Sequence, residues 1–366
     1  MGGVSNPPPP PGSATAPGSS KPAAPSGVST PPPAAGSSPA TTKAPAKSTS
    51  AKATTPEPKK YGRFTARQWI IGSVLGLLAL IAAAALVAVA TRWLLSTGPG
   101  ADFIARYPGH PELPEDTPVG LPAWLSWQHF LNMLFIVLIL KSGLQIRSER
   151  RPEAYWTPKF GNGKKISLTT WFHQAVDIFW VLNGFIYIVL LFATGQWKRL
   201  VPTTWDVFPH ALSAVLQYLT FDWPTENGWI HYNAMQQLTY FFTVFIAAPL
   251  AIITGLRMST LWSAKWTRLS RALPLKITRK VHVGVMVYFL VFAAIHVILV
   301  TFTGLLSNLN HMYAGRGSAD PTEYAHDWTG LIVFLVSVAV IAAAAYFARP
   351  VVLAPVAKHG GEVTGR

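Results

Sequence analysis

Six stretches of this chain are apolar over about the length a helix needs to cross a hydrocarbon core, roughly 20 residues. They run over Trp69–Thr91, Trp127–Ile146, Trp171–Thr194, His231–Leu256, Val281–Thr303 and Trp328–Ala348. A bilayer offers no water to satisfy backbone N–H and C=O groups, so segments this long and this poor in charge are helices rather than barrel strands. The expected fold is an all-α membrane protein with six transmembrane helices. Only 12% of the 366 residues are charged, against about a quarter in a soluble domain, so much of the surface should face lipid. Trp69, Trp93, Trp124, Trp127, Trp171, Trp197, Trp229 and Trp328 gather at the ends of the stretches, where an interfacial aromatic belt belongs.

Residues 1–60 are nearly all Pro, Ala, Ser, Thr and Gly; they hold 15 of the 31 prolines and no aromatic residue. Such a segment buries too little apolar surface to offset its conformational entropy and is expected to be a disordered tail. It lacks the apolar stretch behind a charged start that marks a secretory signal. The expected organisation is this tail, an extra helix in 61–97, a loop in 98–126, a four-helix core in 127–304, a loop in 305–327, a sixth helix in 328–348 and a tail in 349–366.

The net charge of +15 would suggest nucleic acid in a soluble protein, but here it sorts by side. Of 30 Lys and Arg, 24 fall before the first stretch, in the second and fourth connections, and after the sixth stretch. The opposite connections carry Arg92, Arg106, Lys198, Arg199 and Arg316, together with ten of the 15 acids. The positive-inside rule then places both termini in the cytoplasm of a bacterial cell, with the chain in the cytoplasmic membrane. Membrane lipid is an expected partner, and nucleic acid is not.

Zero cysteines exclude disulfides, iron–sulfur clusters, thioether-attached haem and thiolate zinc sites. A redox metal must therefore hang on other side chains, and ionisable residues within spans are functional candidates by default. His129 starts the second stretch, His173 starts the third, and His282 and His296 share the fifth. Fourteen residues at about 100° each fall about 40° short of four turns and rise about 21 Å, so His282 and His296 share a face near opposite membrane surfaces. In the expected topology His129 and His296 lie at the outer depth, and His173 and His282 at the inner depth. A bundle carrying two bis-histidine haems needs this arrangement. Gly143 and Gly184 lie near the faces of His129 and His173, where glycine could leave a flat gap for a porphyrin or simply allow close helix packing. His231 is the main rival for an outer ligand. Lys141 and Asp177 fall at similar inner depth. An ion pair between them is the leading expectation; the alternatives are a propionate contact for Lys141 and a proton relay through Asp177.

The segments WQHFLNMLFIVLILKSGLQIR, WFHQAVDIFWVLNGFIYIVLLFATGQWKRLVP, YNAMQQLTYFFTVFIAAPLAIITGLRMS and HVGVMVYFLVFAAIHVILV resemble the di-haem cytochrome b subunits of membrane-anchored oxidoreductases. Those are the thiosulfate reductase, formate dehydrogenase and Ni-hydrogenase types, and the resemblance covers about 127–304. It implies a four-helix cytochrome b core with two haem b groups. It also implies electron exchange between a catalytic partner and the quinone pool, with His129, His173, His282 and His296 as ligands. The extra first and sixth helices and the proline-rich tail depart from the family pattern. The expected topology also inverts the core relative to the formate dehydrogenase subunit, so the side of the quinone site is not inherited.

No nucleotide motif, catalytic carboxylate pair or molybdenum site is present. An electron-transfer subunit is the leading expectation. Its partner would be a redox enzyme, plausibly a molybdopterin oxidoreductase, at the His129/His296 end, and the His173/His282 haem would exchange electrons with the other side or with menaquinone or another quinone, the side of the quinone site being left open. The alternatives are a self-sufficient quinone or metal reductase and a haem-free transporter. The reductase would use Asn132, Gln128 and Tyr232 outside, or Asp177 and Gln174 inside.

Overall fold

The computed structural model describes residues 59–160, 163–223 and 227–365. The expected disordered tail falls almost wholly on 1–58, which lie outside the described residues. The chain divides into two units after Thr65. In the first, strands β1 (Lys60–Tyr61) and β2 (Phe64–Thr65) pair antiparallel around Gly62, whose φ of 71° suits a glycine.

The second unit is an all-α membrane fold. Six helices are long and apolar enough to cross a membrane: Ala66–Ser96, Ala123–Ser148, Leu168–Ala193, Ala234–Met258, Leu275–Phe302 and Thr329–Phe347. Local signals set their starts. Pro122 and Pro274 stand in extended conformation just before the second and fifth helices. Ser167 Oγ accepts the Thr170 N–H at 3.1 Å to open the third. Asn233 and Gln236 form a reciprocal capping box at the fourth. Pro249 is the second residue of the Ala248–Met258 segment that forms the second half of the fourth helix, where it can donate no backbone hydrogen bond. The strain is taken up by a π turn over Thr243–Ala247. Thr243 Oγ1 there meets Tyr288 OH of the fifth helix at 2.7 Å.

The second and third helices pack along each other, the fourth against the fifth, and the sixth against the second. Ser142, Asn183, Thr254 and Thr278 are buried, while Leu, Ile, Val and Phe dominate the exposed side chains, the distribution of a bundle solvated by lipid. The first helix buries only Thr91; near its end, Arg92 Nε donates to Thr220 O at 3.0 Å.

The connections are more structured than their composition suggests. Short helices Gly98–Arg106, Val207–Leu219 and Leu305–Leu309, with a π turn over Asn310–Ala314, lie at the end of the bundle where the acidic connections gather. At the opposite, basic end, the last residues form helix Pro350–Ala357 and strand β5 (Gly361–Gly365). β5 joins β3 (Ala154–Pro158), which also pairs with β4 (Ile166–Ser167), in the antiparallel order β4-β3-β5. Trp156 Nε1 donates to Ala357 O at 3.0 Å, tying this segment to the connection between the second and third helices.

The expected ion pair between Lys141 and Asp177 does not form. Lys141 Nζ donates to Ala348 O at 2.7 Å, where the sixth helix ends. Helix C-termini leave carbonyls without partners and attract cations. The sixth helix packs on the second, so this acceptor is nearer to hand than the third helix's carboxylate. Lys141→Met should therefore loosen the sixth helix, lowering stability by about 1–3 kcal/mol. Lys141→Arg should retain most of it. Urea or thermal unfolding in detergent, with proteolysis after residue 327 as a second readout, checks this.

Candidate functional site

The structure brings His129 and His296 together near the acid-rich end, with ring centroids 6.3 Å apart and planes inclined by 50°. Two imidazoles on opposite sides of one metal, each nitrogen about 2 Å from it, have ring centres about 6 Å apart. Each ring is oriented by neighbours. Tyr313 OH lies 3.2 Å from His129 Nδ1 and 3.7 Å from Met133 Sδ. Burial pushes the Tyr313 phenol up to about 12, so it stays a neutral hydroxyl. Phe292 stacks on His296 at 5.7 Å and 10°, and Tyr240 approaches it edge-on at 6.4 Å.

At the basic end, His173 and His282 have matching surroundings on neighbouring helix pairs. His173 Nδ1 is 2.8 Å from Ser142 Oγ, which is 2.8 Å from Leu138 O one turn back. His282 Nδ1 is 2.9 Å from Thr254 Oγ1, which is 2.5 Å from Leu250 O. A hydroxyl has one proton. Given to the carbonyl of its own helix, it leaves the oxygen to accept from Nδ1–H. In that arrangement Nε2 of each imidazole is the nitrogen turned away from the hydroxyl, the one a metal would use. Asp177 Oδ2, one turn beyond His173, is 3.7 Å from His173 Nε2. Among the described residues no three His, Cys, Asp or Glu side chains converge on a metal-sized site.

A glycine follows each hydroxyl. A Cβ at Gly143 would stand 3.4 Å from His173 Cε1, and one at Gly255 would stand 3.6 Å from His282 Cε1. Gly143 thus makes room for an imidazole of the next helix, whereas a Cβ at Gly184 would meet nothing within 4 Å. Sequence reasoning had weighed Gly143 as a porphyrin gap and overlooked Gly255, Ser142 and Thr254. The signal was available as a repeat, Ser142-Gly143-Leu144 and Thr254-Gly255-Leu256, near the same end of the second and fourth helices.

His231, the rival ligand, stacks on His110 at 4.4 Å and 29° instead of joining the His129/His296 pair. Of the residues named for a self-sufficient reductase, Asn132 Oδ1 accepts from Trp180 Nε1 at 3.1 Å and Gln174 Oε1 accepts from Thr260 Oγ1 at 2.8 Å. Tyr232 lies against Arg199, a buried cation that the sequence marks only as one of the connection charges; Gln128 is buried with its Oε1 unpartnered. Arg199 Nη1 donates to Gly120 O at 2.8 Å, Nη2 donates to Gly228 O, and the guanidinium lies 4.8 Å from the Tyr232 ring centre. Burial and then the Arg199 charge hold His311 down to about 4; burial also lowers His231, with His110 and Arg199 adding to the effect.

A family model described as prokaryotic cytochrome b561 matches residues 120–315, more than half of the chain. No curated protein and no solved structure matches.

Removing either hydroxyl should leave a buried imidazole N–H without an acceptor. Ser142→Ala and Thr254→Ala are each expected to lower stability by about 1–3 kcal/mol, while the Ser142→Thr and Thr254→Ser exchanges stay near wild type. Thermal unfolding of the detergent-solubilised chain measures the difference.

Proposed function

Because the chain belongs to the prokaryotic cytochrome b561 family, a group of multi-pass membrane b-type cytochromes that bind haem and transfer electrons, we propose that it carries two bis-histidine haems in series across the bundle. His129 and His296 would hold one, His173 and His282 the other. The observation that carries this reading is the 6.3 Å separation of the His129 and His296 rings, which suits axial ligands of one iron. The matched hydroxyl contacts of His173 and His282 support the second pair.

Bound haem supplies one-electron chemistry at its iron. The protein's own residues do the rest. Ser142, Thr254 and Tyr313 hold the Nδ1 side of three imidazoles and so orient Nε2. Phe292 fixes the plane of His296 by stacking. The fifth helix contributes one ligand to each pair, about 21 Å apart along its axis, and so links the two levels rigidly. With two axial imidazoles each iron has no open position, which suits electron transfer rather than substrate binding.

The division of charge between the two ends supports a cytoplasmic basic end and an extracytoplasmic acid-rich end. On this reading a redox enzyme, plausibly of the molybdopterin class, exchanges electrons at the acid-rich end, and menaquinone or a similar quinone reacts at the basic end. The chain then acts as an electron-transfer subunit.

A reduced-minus-oxidised spectrum with haem quantification tests the core of the proposal. Two haems per chain are expected. His129→Ala or His296→Ala should remove one, His173→Ala or His282→Ala the other, and one variant from each pair combined should remove both. A single haem in the wild type, or full haem content in all four variants, rejects the assignment. Co-purification of an enzyme that reduces the haems tests the role as a subunit.

A further inference from the structure

The buried cluster around Arg199 at the acid-rich end holds more polar capacity than the chain itself uses. Arg199 is 1% exposed, yet its Nε has no hydrogen-bond partner, and among the described residues no carboxylate lies within ion-pair distance of it. Around the guanidinium, His311 Nδ1, His231 Nδ1 and Gln237 Oε1 are also buried without partners. Gln237 packs directly on the Arg199 backbone, its Nε2 donating to Arg199 O at 3.4 Å. Gly228, whose carbonyl accepts from Arg199 Nη2, lies beside both rings: a Cβ there would stand 4.0 Å from His311 Nδ1 and 3.7 Å from the Tyr232 ring.

Each unsatisfied buried polar atom costs about 1–3 kcal/mol, and a buried charge without a counter-ion costs more. Arg199 Nε, His311 Nδ1 and His231 Nδ1 together point to a ligand that supplies acceptors, while Gln237 Oε1, itself an acceptor, is not served by it. A guanidinium N–H and two imidazole nitrogens able to donate call for an anion bearing acceptor oxygens. One buried positive charge balances a monoanion, whereas a doubly charged phosphate would leave net charge inside. A planar two-oxygen group also suits the geometry of guanidinium donors.

Ring contacts lead from the Arg199 cluster to His296. Tyr232, beneath the guanidinium, packs on Tyr240 at 5.2 Å, and Tyr240 packs on His296 at 6.4 Å. Gln128 precedes His129, and His311 lies two residues before Tyr313, the hydrogen-bond neighbour of His129. We infer that the buried Arg199 cluster is a carboxylate-binding site, filled either by a propionate of the haem at His129/His296 or by a free small carboxylate. The site stands on Arg199 and its neighbours; only the propionate source rests on the haem reading above.

The test uses the full-length chain in detergent, loaded with protohaem or with its dimethyl ester, whose carboxylates are blocked. Loss of haem to excess apomyoglobin is timed for wild type, Arg199→Gln and Arg199→Lys. Haem held in a His296→Ala background reports the other pair and verifies folding. If a propionate sits on Arg199, the ester should leave the wild type about tenfold or more faster than protohaem. The two should then differ by less than about twofold in Arg199→Gln, with Arg199→Lys between. If the source is a free carboxylate, the ester and protohaem behave alike in all three. Sodium formate, compared with sodium chloride at equal ionic strength, then raises the unfolding temperature of wild type and Arg199→Lys, but not of Arg199→Gln. Should Arg199→Gln fail to fold, the ester and formate effects in wild type and their weakening in Arg199→Lys carry both arms. No Arg199-dependent difference in either arm overturns the inference. A wild type without b-type absorbance removes the haem reading alone, because the formate arm still reads the site.

Discussion

Two hydroxyl–imidazole contacts, Ser142 with His173 and Thr254 with His282, hold the central helices in register. Inside a bilayer there is no hydrophobic drive between apolar helices, so close packing and a few well-placed polar bonds decide which faces meet. Each contact needs three things at once: a hydroxyl, a glycine beside it so that the imidazole can approach, and a backbone carbonyl one turn back to take the hydroxyl proton. The second and third helices supply the set once, and the fourth and fifth supply it again. The bundle therefore contains two similar helix pairs, each presenting one oriented imidazole near the basic end.

Hydropathy and charge made the scaffold legible. Apolar length alone predicted six helices, and the six are there, because backbone hydrogen bonding in lipid leaves few alternatives. Helix arithmetic also anticipated that His129 and His296 would share a depth, and their rings are adjacent. Regular helices carry position faithfully from residue to residue, which is why such arithmetic works.

What escaped sequence reading lies where regular geometry stops. Lys141 was compared with charges on its neighbouring helix, but its partner is a main-chain carbonyl at the end of the sixth helix, and a carbonyl has no signature in composition. Arg199 sits in a connection and reads as an ordinary interfacial charge, yet the turns carrying Gly120 and Gly228 fold over it and bury it. The last residues look like a short tail, but a five-residue strand can pair wherever an unpaired edge is near, and β3 offers one. Gly143 suggests room for a flat cofactor, whereas its neighbour in the fold is the His173 ring. In each case the deciding partner is distant in sequence and is set by backbone groups rather than by side-chain type.

The π turn at Thr243–Ala247 makes the fourth helix a composite of two segments with different phase. The segment before it presents Tyr240 to His296; the segment after it presents Thr254 to His282. A turn with one residue more than the α repeat offsets the second segment by about 100° relative to an uninterrupted helix. The two levels of the bundle are thus aligned by a counting irregularity. In descendants of this chain, an insertion or deletion near Pro249 would be tolerated only when matched by a second one that restores the phase, so length change in the fourth helix should occur in compensated pairs.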